Sequence, residues 1–254
     1  MVGRASAVLG RLWTWRTAAF VALATVLGVY YSVASSLRNL SIWWEVAILT
    51  FLVIPAVFGL VYLALPLWRA RWLLPAAVAI GVLAAGLHVA NLDIASDFAK
   101  LAAVTLLSWW FLSYFETAAW VVLVALIVPW VDAVSVWRGP TKEIITHKRE
   151  VFTTFSFSFP VPGEESAAHL GLPDIMFFGL FLGATARFGL RTRLTWLAMA
   201  LSFGGTMALT VAFDLAGMPA LPLLALGFLL PNIDLVWKRL RTENAWGSLR
   251  AENR

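Results

Sequence analysis

Apolar residues in this chain come in long unbroken runs, and each run ends at charge, at tryptophan, or at proline and glycine. A hydrocarbon layer about 30 Å thick takes roughly 20 residues of helix to cross. Eight runs meet that length, at approximately 17–35, 43–67, 72–91, 98–115, 118–137, 172–190, 194–213 and 217–237. The pattern predicts an all-α polytopic membrane protein with about eight transmembrane helices. The stretch 98–137 is nearly continuous, and Glu116 beside Thr117 supplies its one polar turn. Trp43, Trp44, Trp68, Trp72, Trp137 and Trp237 stand near run ends, where an amphipathic ring meets lipid headgroups.

One segment has a different period. Residues 151–161 read Val-Phe-Thr-Thr-Phe-Ser-Phe-Ser-Phe-Pro-Val and alternate strictly from Phe155 to Phe159, which is strand spacing. This predicts a short β-hairpin-like segment in the longest loop, 138–171. By itself the pattern also fits a hairpin lying on the membrane surface through its phenylalanines.

Composition narrows the class. Hydrophobic residues make up 61% of the 254 and charged residues 13%, too few to build a polar shell, so soluble folds and disorder are both excluded. The net charge of +5 comes from short clusters between apolar runs, which orient a chain in a bilayer; no nucleic-acid partner is expected. With zero cysteines there is no disulfide, thiolate metal site or thiol nucleophile. His88, His147 and His169 lack ligand spacing, so no metal and no cofactor are expected. Arg4, Arg11 and Arg16 precede the first run and Val33-Ala34-Ser35 is small enough for processing, but its length predicts an uncleaved first span over a signal peptide.

Eight spans put both termini on one side. That face carries Arg4, Arg11, Arg16, Arg69, Arg71, Arg187, Arg191, Arg193, Lys238, Arg239, Arg241, Arg250 and Arg254, and the other carries Arg38, Lys100, Arg138, Lys142, Lys148 and Arg149. Thirteen against six predicts cytoplasmic termini in a multi-pass protein of the cell membrane. The organisation expected is scaffold helices over 1–117, a chemistry-bearing region over 118–237 and a cytoplasmic tail over 238–254. Oligomeric state is open.

An ionisable residue within hydrocarbon costs at least about 2.5 kcal/mol and so asks for a partner, a cavity or a task. Asp132 lies in Val128-Pro129-Trp130-Val131-Asp132-Ala133-Val134, well inside its run. Asp174 lies in Leu170-Gly171-Leu172-Pro173-Asp174, at the entrance of the next. Consecutive spans are antiparallel, so both acids fall toward one leaflet. Two adjacent carboxyls share a proton and titrate as a pair, the arrangement with which an ionised acid activates water while its protonated neighbour polarises a carbonyl. Pro129 and Pro173 each remove a backbone donor, which opens the helix to water. The plainer reading is a snorkelling acid and a packing kink. Glu45 and Glu116, near run ends, are expected at the interface, Asp214 in a loop, and Asp234 paired with Lys238 one turn on. Pro219-Ala220-Leu221-Pro222 opens the last run in extended backbone.

An Asp inside one span, a Gly-x-x-Asp opening the next and a Pro-Ala-Leu before the last, in that order, resemble the presenilin and signal peptide peptidase family of intramembrane aspartyl proteases. Asp132 through Trp137-Arg138-Gly139-Pro140-Thr141-Lys142-Glu143 looks like the stretch after the first catalytic Asp, and Leu170 to Asp174 with Phe177, Phe178 and Gly179 is similar to the second motif. The likeness covers about 118–237. It implies a presenilin-like fold of nine spans, one more than counted here, and an endopeptidase that cuts transmembrane segments of substrate proteins with Asp132 and Asp174 as its catalytic pair. It further implies substrate contacts from Gly171, Leu172, Pro173, Pro219, Ala220 and Leu221, and pairing of an unwound substrate with the strand segment holding Phe155, Phe157 and Phe159. Val131 stands where the family usually has Tyr and Pro173 where it has Gly, so the close backbone approach that Gly allows is lost. The cytoplasmic C-terminus is closer to signal peptide peptidase than to presenilin. Two other classes fit the same acids: a proton-coupled transporter or channel, and a silent relative that binds membrane helices.

Overall fold

The computed structural model describes residues 2–138, 153–215 and 217–239. The Gly139-Pro140 step and the segment after it, with Lys142, His147, Lys148 and Arg149, lie outside the described residues, as does the tail from residue 240. The fold is predominantly helical, with one small antiparallel sheet. The helices are α1 (Val2–Val33), α2 (Ile42–Arg69), α3 (Leu73–Val89), α4 (Asp93–Leu112), α5 (Ala118–Arg138), α6 (Leu172–Arg187), α7 (Thr192–Ala212) and α8 (Leu221–Arg239). The strands are β1 (Ser156–Pro160) and β2 (Ala167–Gly171). Each apolar run of the sequence is occupied by one of these helices.

Five helical segments are long and apolar enough to cross a membrane: Trp15–Ser36, Ile42–Arg69, Ala118–Val136, Thr192–Ala212 and Leu221–Arg239. The other three fall short for separate reasons. α3 has 17 residues and α6 has 16, a rise of about 24 Å for the latter against a layer of about 30 Å. α4 carries Asp93, Asp97 and Lys100 in its first two turns. The sequence counts Lys100 as a charge on the face opposite the termini; it lies in the second turn of α4, which starts at Asp93, five residues before the apolar run, and buries Asp97 and Lys100 against the hairpin. The doubtful break before α5 is real, with α4 ending at Leu112 and α5 starting at Ala118.

Prolines shape the helix interiors. α2 widens into a π turn at Leu49–Val53 just before Pro55, whose ring and missing N–H obstruct the ordinary register, and tightens into a 3-10 turn at Leu65–Arg69 around Pro66.

α6 is the axis of the core. Phe178, Leu180, Phe181, Leu182, Ala184 and Thr185 are all fully buried, so this short helix is enclosed on every side by protein. Phe178 meets Phe58 of α2 at 4.1 Å between ring centroids, and Phe181 stacks on Phe228 of α8 at 4.8 Å. Close approach to α4 needs two glycines four residues apart. A Cβ on Gly179 would stand 2.3 Å from Ser108 Oγ, and one on Gly183 would stand 2.8 Å from Trp109 Cδ1. Small residues at this spacing let membrane helices touch backbone to side chain, and Trp109 Nε1 uses the proximity to donate to the Gly179 carbonyl at 3.1 Å.

The hairpin is locked to the bundle. Ser156 pairs with Gly171 and Pro160 with Ala167 at the two ends of the ladder. The outer edge of β1 is met by side chains in place of a third strand. Ser158 N–H donates to Asp97 Oδ2 at 3.1 Å, and the Ser158 carbonyl accepts from Tyr31 at 2.9 Å. The Pro160 carbonyl accepts from Tyr30 at 2.8 Å, and Lys100 Nζ reaches the Ser156 carbonyl at 3.3 Å while pairing with Asp97 at 2.9 Å. Strand alternation turns Phe157 (0% exposed) inward against Tyr31 and Phe98 and Phe159 (3%) inward against Phe157, while Phe155, just before β1, is 64% exposed.

Candidate active site

Asp132 reaches the interior because of where it falls on α5. Little of that helix is fully buried, and Trp130, Val131 and Val134 on either side of the acid are exposed, as expected of a helix facing lipid. Its protein-facing stripe runs Ala118, Val121, Ala125 and Val128 at steps of three and four, and the next step lands on Asp132. The carboxyl is partly buried, and Oδ2 accepts the Leu221 N–H at 3.0 Å.

That donor is available for a local reason. Leu221 is the first residue of α8, following Ala220, so its N–H has no partner within the helix. The extended backbone expected here is not found at Ala220, which has helical torsions (φ −87°, ψ −29°) because it is already the cap of α8; Pro219 and Ala220 are buried, and Pro222 in the first turn has no N–H to offer. Asp132 thus caps α8 from another helix, and the positive end of α8 favours a carboxylate there.

Asp174 occupies the third position of α6, after Gly171, Leu172 and Pro173. Its carboxyl turns back on the chain, with Oδ2 3.1 Å from where a Cβ on Gly171 would stand and the Gly171 amide directed at it. A side chain on residue 171 would therefore press on the acid. Proline in the first turn of α6 loses no helical hydrogen bond, and Pro173 is exposed beside the carboxyl. The two acids are close enough to feel each other's charge. Each sits at the N-terminal end of a helix, with a backbone amide against it.

The fold thus brings together Asp132, Asp174, Gly171, Leu172, Pro173 and the Pro219-Ala220-Leu221 turn. It does not bring Phe157 and Phe159 to that place, because their rings are spent on the core. Sequence reasoning missed four residues that hold the neighbouring hairpin: Tyr30, Tyr31, Asp97 and Lys100. Opposite charges at i and i+3 in an otherwise apolar run were the available signal for the last two. Asp234 makes a two-pronged bridge to Arg191, at 2.5 and 2.8 Å. Glu45 is buried within electrostatic reach of Glu164 in the hairpin loop. Among the described residues no group of three or more His, Asp or Glu stands together as a metal cage.

No protein-family model matches the chain, and no curated protein matches it.

Proposed function

We propose that this protein is an intramembrane aspartyl endopeptidase with a presenilin-like arrangement of eight spans, α3, α4 and α6 counted with the five longer ones. The observation that carries the reading is the hydrogen bond from Leu221 N–H to Asp132, 89 residues away, which joins the first acid to the Pro-Ala-Leu element while its charge is felt by Asp174.

The chemistry follows from a shared proton. The ionised carboxyl takes a proton from water as the water oxygen bonds to the scissile carbonyl carbon, and the protonated carboxyl gives its proton to the carbonyl oxygen. In the resulting gem-diol, proton transfer to the amide nitrogen lets the C–N bond break, leaving an acid and an amine. Exposed Pro173 and partly buried carboxyls are consistent with water and substrate reaching the pair. Substrate backbone must be extended at the cut, and its freed amides need partners in a medium without water. The outer edge of β1 is taken up by Tyr30, Tyr31, Asp97 and Lys100, so a substrate strand joins the sheet along β2, which runs directly into Asp174. Gly171, Leu172, Pro173 and the Pro219-Ala220-Leu221 turn would contact it, with Phe155 the one phenylalanine of the alternation that faces outward.

Asn is as good a helix cap as Asp but cannot ionise. Asp132→Asn and Asp174→Asn therefore test chemistry with the fold kept. Purified protein should cleave single-span substrates with a bell-shaped pH profile, and either substitution should abolish cleavage. Cleavage that survives either one refutes the pair. Proton flux into liposomes without cleavage by any form supports the transport reading instead.

A further inference from the structure

At the end of the bundle where the first span begins lies an open cavity of about 600 Å³, lined among others by Arg16, Tyr62, Trp68, Arg191, Arg193 and Leu194. We propose that it binds the phosphate of an anionic phospholipid headgroup.

Charge is the first ground. Arg191 is committed to Asp234, but among the described residues no carboxylate pairs with Arg16 or Arg193. The Arg16 guanidinium lies 5.9 Å from the Tyr62 ring centroid, a contact that orients the fork without neutralising it. Two unmatched guanidinium groups on one cavity form a site for a phosphate, which accepts paired N–H donors.

Depth is the second ground. Arg16 is the last charge before the apolar run 17–35, Leu65 and Trp68 close the Ile42–Arg69 span, and Thr192 opens α7, so three span ends converge on the cavity at headgroup level. Phe20, one turn further into its span from Arg16, is exposed, and so is Leu197, one turn further in from Arg193. A headgroup held by the arginines would lay its acyl chains along these side chains. A free phosphate would leave them uncovered, which is why the lipid is preferred. Basic pockets between membrane helices are a known mode of anionic headgroup capture.

The test uses the full chain in nanodiscs of phosphatidylcholine with increasing phosphatidylglycerol, bound lipid being counted by native mass spectrometry. Wild type should retain phosphatidylglycerol over phosphatidylcholine. Arg16→Gln and Arg193→Gln should each weaken retention about fivefold and together about 25-fold, while Arg38→Gln, at the opposite end, should leave it unchanged. Arg16→Lys with Arg193→Lys, which keeps the charges without the paired donors, should bind between wild type and the double Gln variant and shows that the fold is intact. Equal retention by wild type and the double Gln variant overturns the site. Binding of inorganic phosphate in pure phosphatidylcholine discs, with no preference for phosphatidylglycerol, overturns the lipid assignment. The readout is lipid retention, so it stands whether or not the protein cleaves anything.

Discussion

Removing one charge from the Asp97–Lys100 pair should cost far more than removing both. The side chains are 8% and 12% exposed and 2.9 Å apart, and each also holds β1. Asp97→Asn keeps an oxygen for the Ser158 N–H but strands the Lys100 ammonium, and breaking a buried pair from one side costs about 3–5 kcal/mol. Lys100→Met strands the carboxylate at a similar cost. In the double variant no charge is left unpaired and the Ser158 bond survives, so the remaining loss is the Lys100 bond to the Ser156 carbonyl, about 1–2 kcal/mol. The cycle should therefore show strong non-additivity, with the double variant more stable than either single one. Unfolding of the detergent-solubilised protein gives the three differences, and hydrogen exchange at the amides of 156–160 reports whether the loss is local to the hairpin. A loss below about 1 kcal/mol for Asp97→Asn, or a double variant as costly as the sum of the singles, refutes the account of this pair as the lock on β1.

Three further outcomes are expected. Pro173→Gly, at an exposed position that makes no helical hydrogen bond, should keep or raise cleavage in a single-span substrate assay; inactivation with the fold intact would count against the placement of substrate beside Asp174. Gly183→Ala puts a methyl 2.8 Å from Trp109 Cδ1 and 2.9 Å from Leu112 Cδ2, so unfolding should show a loss of about 1–3 kcal/mol from overpacking between α4 and α6. Thr50 Oγ1 is buried with no hydrogen-bond partner among the described residues, so Thr50→Val, which keeps the shape, should gain about 1 kcal/mol in the same measurement, and a loss would reveal a partner.

The helices and β1 were legible because their causes are local. Uninterrupted apolar runs have no other stable state in lipid than helix, prolines mark first turns whether the neighbours are known or not, and Phe-Ser alternation from Phe155 to Phe159 has a period of two in any context. The acids were legible as anomalies, since a charge in an apolar run is visible without coordinates. What tertiary structure decided is which groups these elements meet. β2 has no alternation of its own, reading Ala-Ala-His-Leu-Gly, and is a strand because β1 offers it an edge. Phe157 and Phe159 have the spacing of a recognition strand, yet they face the core, because Tyr30, Tyr31, Asp97 and Lys100 draw the outer edge of β1 onto α1 and α4. Lys100 reads in the sequence only as one of the charges that orient the chain, and becomes a buried clamp through a partner three residues earlier. The meeting of Asp132 with Leu221 depends on the protein-facing stripe of α5 lying along the start of α8, a long-range packing fact that no window of sequence contains.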